Sequence, residues 1–145
     1  MSAPSDLFGD DIESGNAALG RVIGGVIPLR FELISKDRVV MTMQVDSRVH
    51  QPMGILHGGA SLMLAESAAS TGANRNCPAG MVAVGQEINA NHLRSKRDGL
   101  LRATALPVHI GGRSQVWSVE IRDENEQLVC ISRCTLAVIP YQPQA

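Results

Sequence analysis

A chain of 145 residues suits one domain of ordinary size, and 44% apolar residues are enough for a real core, so disorder as the main state is excluded. The net charge is −1, from 13 basic and 14 acidic side chains, which excludes a general polybasic binder of nucleic acid or membrane surfaces. The aromatic residues Phe8, Phe31, Trp117 and Tyr141 are too few for a stacking platform for single-stranded nucleic acid.

In chain order, residues 1–10 read as a loose acidic tail without the apolar core of a signal peptide. Asp11 to Gly20 predicts a short helix capped by Asp10 or Asp11 and stopped by Gly20, followed by the turn-rich connector GRVIGGVIP. Alternation then begins, with Leu29, Phe31 and Leu33 facing one way and Arg30 and Glu32 the other. SKDR at 35–38 is a hairpin turn, and Val39, Met41, Met43 and Val45 define a second strand. After the loop DSRVHQPMGILHGG comes ASLMLAESAASTGA at 60–73, which is small or apolar on every face and predicts a buried helix ended by Gly72 and the following ANRNCPAG. Four further strands are expected at 81–92, 100–109, 114–122 and 128–139. Antiparallel strands around a single helix give an α+β fold, with one sheet curled around that helix. Residues 1–24 are expected to be a tail with a short helix, and 25–145 a single domain.

Cys77, Cys130 and Cys134 show no zinc spacing, and on a strand the last two lie about 13 Å apart, too far to bridge. Reduced cysteines in a cytoplasmic protein are the expectation. No apolar run approaches the length of a membrane-spanning helix. His50, His57, His92 and His109 show no ligand spacing, so no metal is expected. Five basic residues, Arg94, Lys96, Arg97, Arg102 and Arg113, face the single acid Asp98 within 94–113. Such a patch suits a small anionic ligand or is simply a solvated strand-and-turn face.

Glu66 does not fit the buried helix. Its helical neighbours Leu62, Met63, Ala69 and Ser70 offer no positive charge, and a buried carboxylate without a partner is costly. It is either a catalytic acid, base or nucleophile, or the partner of an arginine across an oligomer interface. His57, Gly58 and Gly59 directly precede the helix. They are a tight loop capped by His57, or a helix N-terminus whose free N–H groups receive a developing oxyanion. Gly58 and Glu66 would lie about 12 Å apart along a helix axis, so one reacting carbonyl cannot sit against both within one chain. Either they are unrelated, or the site joins Gly58 of one subunit to Glu66 of another.

The run VDSRVHQPMGILHGGASLMLAES, with EINANHLRS at 87–95 and GGRSQVW at 111–117, resembles the hotdog-fold acyl-CoA thioesterases. It is most similar to the branch holding 4-hydroxybenzoyl-CoA thioesterases and 1,4-dihydroxy-2-naphthoyl-CoA hydrolases, over roughly 25–139. The resemblance implies hydrolysis of aryl- or medium-chain acyl-CoA without a cofactor, coenzyme A being part of the substrate. Gly58 would hold the thioester carbonyl, Gln51 would add a contact near that oxygen, and His57 would position the thioester. Glu66 from the partner subunit would be nucleophile or general base, with Ser70 bonding the attacking water. Arg94, Ser95, Gly112, Arg113 and Ser114 would bind the nucleotide and pantetheine arm, and Val82 and Gly85 would line its tunnel. The acyl pocket is expected from Leu62, Met63, Val49, Met53, Leu56 and the partner. A homodimer would be the minimal active unit and a homotetramer the assembly, without nucleic-acid or membrane partners. The alternatives are a hotdog acyl-thioester hydratase or dehydratase, which needs a catalytic His, and a non-catalytic acyl-CoA sensor.

Overall fold

The computed structural model describes residues 8–143. Helix α1 spans Ile12–Gly20 and begins as the sequence predicts. Asp11 is extended, its carboxylate accepts the Ser14 N–H at 2.8 Å, and the Ser14 hydroxyl accepts the Asp11 N–H at 3.2 Å. This reciprocal pair satisfies donors that a helix start leaves open. Asn16 then ties α1 to the first strand, taking the Phe31 N–H at 2.7 Å and donating to the Phe31 carbonyl at 3.2 Å.

Strands β1 (Leu29–Ile34) and β2 (Val39–Val45) form the predicted hairpin. Helix α2 (Gly58–Arg75) follows, then β3 (Met81–His92), β4 (Gly99–Ile110), β5 (Ser114–Asp123) and β6 (Leu128–Pro140). The six strands form one antiparallel sheet in the order β1-β2-β4-β5-β6-β3, with α2 packed against one face. The alternation of β5 fixes that face: Gln115, Trp117, Val119 and Ile121 point at the helix and are buried with Cys130, Cys134 and Leu136 of β6. The three cysteines are free. In β2 the alternation is only partly visible, because Val40 and Thr42 on the outer face are also covered between β1 and β4.

Three expectations about α2 and its surroundings are corrected. The helix begins at Gly58 and runs past Gly72 to Arg75, ending inside the expected ANRNCPAG stretch with Asn76 as its cap. Gly72 does not stop it; a side chain there would overlap the Trp117 indole, so this glycine is clearance for the ring. Nor is α2 covered all round: Met63 is exposed, while Glu66, Ser67 and Ser70 beside it are only half-buried. The basic patch is divided as well, since two of its members are drawn to acids supplied by other segments. Lys96 pairs with Glu124 at 2.6 Å, and Arg102 with Glu32 at 2.9 Å.

Candidate active site

Two cavities open on α2, one at its N-terminus and one at its middle. At the N-terminus, His57 is the cap residue, and its Nδ1 accepts the Gly59 N–H at 2.8 Å. The Ala60 N–H bonds the His57 carbonyl at 2.9 Å. The Gly58 N–H has no partner among the described residues, so the first turn presents one free donor with the helix dipole behind it. A cavity of about 310 Å³ adjoins this point, lined by Gly58, Ser61, His92, Leu93, Arg94 and Ser95 among others. The Ser61 hydroxyl is buried there without a partner among the described residues.

Gln51, by contrast, turns back on its own loop. Its side-chain oxygen accepts the Met53 N–H at 2.7 Å, and its backbone N–H bonds the Ile55 carbonyl at 2.8 Å. It does not line the Gly58 cavity.

The second cavity, about 360 Å³, lies over the middle of α2 and is lined by Met63, Glu66, Ser67, Ser70 and Thr71 together with residues of α1 and β1. Of the residues expected to line an acyl pocket, it holds only Met63. Val49 is buried in the core, Met53 is 72% exposed, and Leu56 belongs to the other cavity. Their places are taken by the N-terminal segment, whose Gly15, Ala18, Leu19 and Val22 recur at helical spacing. That stripe was the available signal. Glu66 sits between Ser70 and β3, with its carboxylate directly against the Gly85 backbone; a side chain at Gly85 would overlap Glu66 Oε1. Gly85 has no unusual φ, so the glycine is required by this contact and not by the backbone. The charges of Glu66 and Glu87 add to burial in pushing the Cys134 thiol up to about 12.

Gly85 therefore faces the helix, whereas Val82, paired with Ile139, points to the outer face, so the two do not line one tunnel. His92 returns to the helix face and lies against Gly58, where an added side chain would come within 2.9 Å of its Nε2. Sequence reasoning passed over His92, although the alternation Ile88, Ala90, His92 already pointed it at α2.

The residues expected to bind the coenzyme A arm are also split. The Arg94 N–H donates to the Val129 carbonyl, while the Val138 N–H donates to the Arg113 carbonyl. Nine residues of strand separate Val129 from Val138, about 30 Å. Arg94 and Ser95 thus sit at one end of the sheet, and Gly112, Arg113 and Ser114 at the other. Among the described residues no group of three His, Cys, Asp or Glu could hold a metal ion, and no helix is long and apolar enough to cross a membrane.

A free N–H at a helix start and a carboxylate at the mouth of a largely apolar cavity are the two parts that polarise and attack an acyl carbonyl. Comparison with known proteins gives the family. The model of the thioesterase superfamily matches residues 53–130. Two 1,4-dihydroxy-2-naphthoyl-CoA hydrolases are close relatives. That of Listeria monocytogenes is 52% identical, over 72% of this chain and 85% of its own. That of Escherichia coli is 51% identical, over 79% and 85%. A crystal structure of a thioesterase from Haemophilus influenzae superposes with a TM-score of 0.86 at 38% identity, covering 92% of this chain and 93% of that one. With its six-stranded sheet around α2, this chain has the hotdog fold, is a thioester hydrolase, and belongs to the thioesterase superfamily.

Proposed function

We propose that the protein hydrolyses aryl- or medium-chain acyl-CoA thioesters to the free acid and coenzyme A, at sites shared between two copies of the chain. One observation carries the reading: Glu66 and the free Gly58 N–H lie on the same helix, eight residues apart, and open into different cavities. A separation of about 12 Å cannot be spanned by one carbonyl. A second copy resolves it. β3 is an edge strand of 12 residues, and its Val84 to Glu87 are exposed. Unpaired strand edges favour pairing with another strand. Antiparallel pairing of two β3 edges would run the strands in opposite directions and so bring the Gly85 part of one, and with it Glu66, toward the His92 end and the Gly58 of the other. The same operation would bring the Arg113 turn of one chain to the Arg94 end of the other. Arginines from both subunits would then meet one nucleotide phosphate group, for which their bidentate geometry is suited.

In this reading the thioester oxygen accepts the Gly58 N–H and His57 positions the thioester from the helix cap, while Gln51, turned onto its own loop, adds a contact near that oxygen only by swinging its side chain toward it. Glu66 of the partner either attacks the carbonyl carbon, giving a mixed anhydride that water then hydrolyses to the free acid, or takes a proton from a water held by Ser70 as that water attacks the carbonyl. Either route expels the coenzyme A thiolate, a good leaving group that needs no strong acid and no cofactor. Residues 25–145 are read as the catalytic domain, with residues 8–24 of the preceding segment packed onto it. The hydratase alternative would ask His57 to move a proton at carbon, but its Nδ1 is engaged by the Gly59 N–H. The test is thiol release from acyl-CoAs running from acetyl to palmitoyl, with benzoyl, phenylacetyl and hydroxynaphthoyl thioesters included. Wild type is compared with Glu66→Gln, and an enzyme-only blank accounts for the three cysteines. Loss of turnover by several orders of magnitude in a folded variant supports the reading. Absence of turnover by wild type on every thioester refutes it.

A further inference from the structure

Next to Glu66, strand β3 has little side chain of its own to set its distance from α2. Ala83, buried there, offers a methyl group, and Gly85 offers none. Directly after Gly85 the ladder to β6 shifts register, so the pairing on the other side is interrupted at the same point. The backbone supplies what the side chains do not. The Val138 N–H donates to the Arg113 carbonyl, so Val138 turns its backbone groups away from β3. Ala83, its partner in register, therefore turns its own N–H and C=O to the open edge of the sheet. Asn74 of α2 takes both. Its Oδ1 accepts the Ala83 N–H at 2.9 Å, and its Nδ2 donates to the Ala83 carbonyl at 2.9 Å. The same Nδ2 donates to the Ser70 carbonyl at 2.8 Å, which holds the amide from the helix side. A side-chain amide thus stands in for one rung of a neighbouring strand. Glu66, Ser70 and Asn74 recur every four residues and so share one side of α2.

From this clamp we infer that Asn74 is a positioning residue for the reaction: it holds β3 at the spacing that aims Glu66. The inference rests on the thioesterase reading above and adds to it a residue that lines neither cavity. Gly85 lies two residues beyond the clamped Ala83, on the same face of β3, and the Glu66 carboxylate rests against it. Without the rung, β3 moves off α2 where Gly85 meets the carboxylate, and Glu66 loses the surface that fixes its direction.

The experiment is Asn74→Leu in the full chain, a change that removes the rung and suits a helix. Steady-state thiol release should show kcat down about tenfold or more and KM within about twofold, the pattern of a group needed only in the transition state. When Asn74→Leu is combined with Gly85→Ala, the loss should fall short of the product of the two, because both act by moving one carboxylate. Asn76→Leu is the control. Asn76 also ties the end of α2 to a distant carbonyl, that of Lys36 at 2.7 Å, but bonds nothing on β3 among the described residues. It should lower Tm while kcat stays at the wild-type value. A measurement without substrate follows the nuclear Overhauser contact between the Glu66 side chain and the Gly85 α protons, present in wild type and lost in Asn74→Leu. Where leucine prevents folding, Asn74→Ala carries the same expectations. Unchanged kcat in Asn74→Leu, losses that multiply with Gly85→Ala, an equal fall in Asn76→Leu, or a retained Overhauser contact overturns the positioning role. Loss of that contact with no turnover of any thioester by wild type keeps the clamp and overturns the thioesterase reading instead.

Discussion

Gly85 offers the sharpest test of what Glu66 does. Replacing it by alanine adds one methyl group on the helix face of β3, where it overlaps Glu66 Oε1 and leaves the carboxylate about 1 Å or more short of ordinary contact. The obstructing atom is the end of a flexible side chain, so Glu66 yields by swinging away and the strand stays put. The backbone loses nothing, because Gly85 has no left-handed φ, and alanine in a strand interior is favoured over glycine by about 0.5–1 kcal/mol. Gly85→Ala should therefore fold at least as well as wild type. A displacement of about 1 Å in a reacting group typically costs 10²-fold in rate, about 2.7 kcal/mol of transition-state stabilisation. Steady-state thiol release on the best acyl-CoA, alongside a thermal melt, measures both quantities. The expected pattern is an unchanged or raised Tm with kcat/KM down about 10²-fold. Wild-type kcat/KM in Gly85→Ala would refute the placement of Glu66 in the reaction.

Two further outcomes concern the core. Gln115 is fully buried, donates to the Ala73 carbonyl at 3.0 Å and accepts the Trp117 indole N–H at 3.0 Å. The Ala73 carbonyl also accepts the Asn76 N–H at 3.0 Å, so Gln115→Leu orphans the Trp117 indole N–H and should cost roughly 1–3 kcal/mol, read as a lower urea midpoint; an unchanged midpoint would contradict the pairing. Burial, reinforced by the charges of Glu66 and Glu87, raises the Cys134 thiol from 9.0 to about 12. The folded state then keeps a proton that the unfolded chain releases above about pH 9. Its contribution is complete below that pH and is lost as pH rises toward 12. The urea midpoint should fall between pH 8.5 and pH 10.5, and Cys134→Ala should make that fall shallower; an equal fall in both proteins would contradict it.

Much of the fold was legible because its signals are local. The Asp11 cap, the SKDR turn and the β5 alternation each act within a few residues, and the structure has them where the sequence puts them. Gly72 was misjudged because its purpose lies 45 positions away, in the Trp117 ring. The charge patch failed for a similar reason, since folding supplied counter-ions from segments that sequence spacing keeps apart. At the site, the helix period alone separated Gly58 from Glu66, and that argument needed no coordinates. Two other features needed the fold: the contact of Glu66 with Gly85, which depends on β3 passing beside α2, and the wall formed by α1, which depends on the Asn16 clamp.

The shared site is the central claim, and mixed dimers test it most directly. Gly58→Pro removes the free N–H at the first helical position, where the backbone suits proline because His57 before it is extended, and where the His92 imidazole lying against Gly58 must shift to admit the ring. Glu66→Gln removes the carboxylate. Each variant alone should be nearly inactive. When the two are co-expressed in equal amounts, half of the dimers are mixed, and each mixed dimer holds one site with an intact Gly58 and an intact Glu66 from different chains. Recovery of about a quarter of wild-type activity is the predicted result. A mixture as inactive as its components would contradict a site built from two subunits.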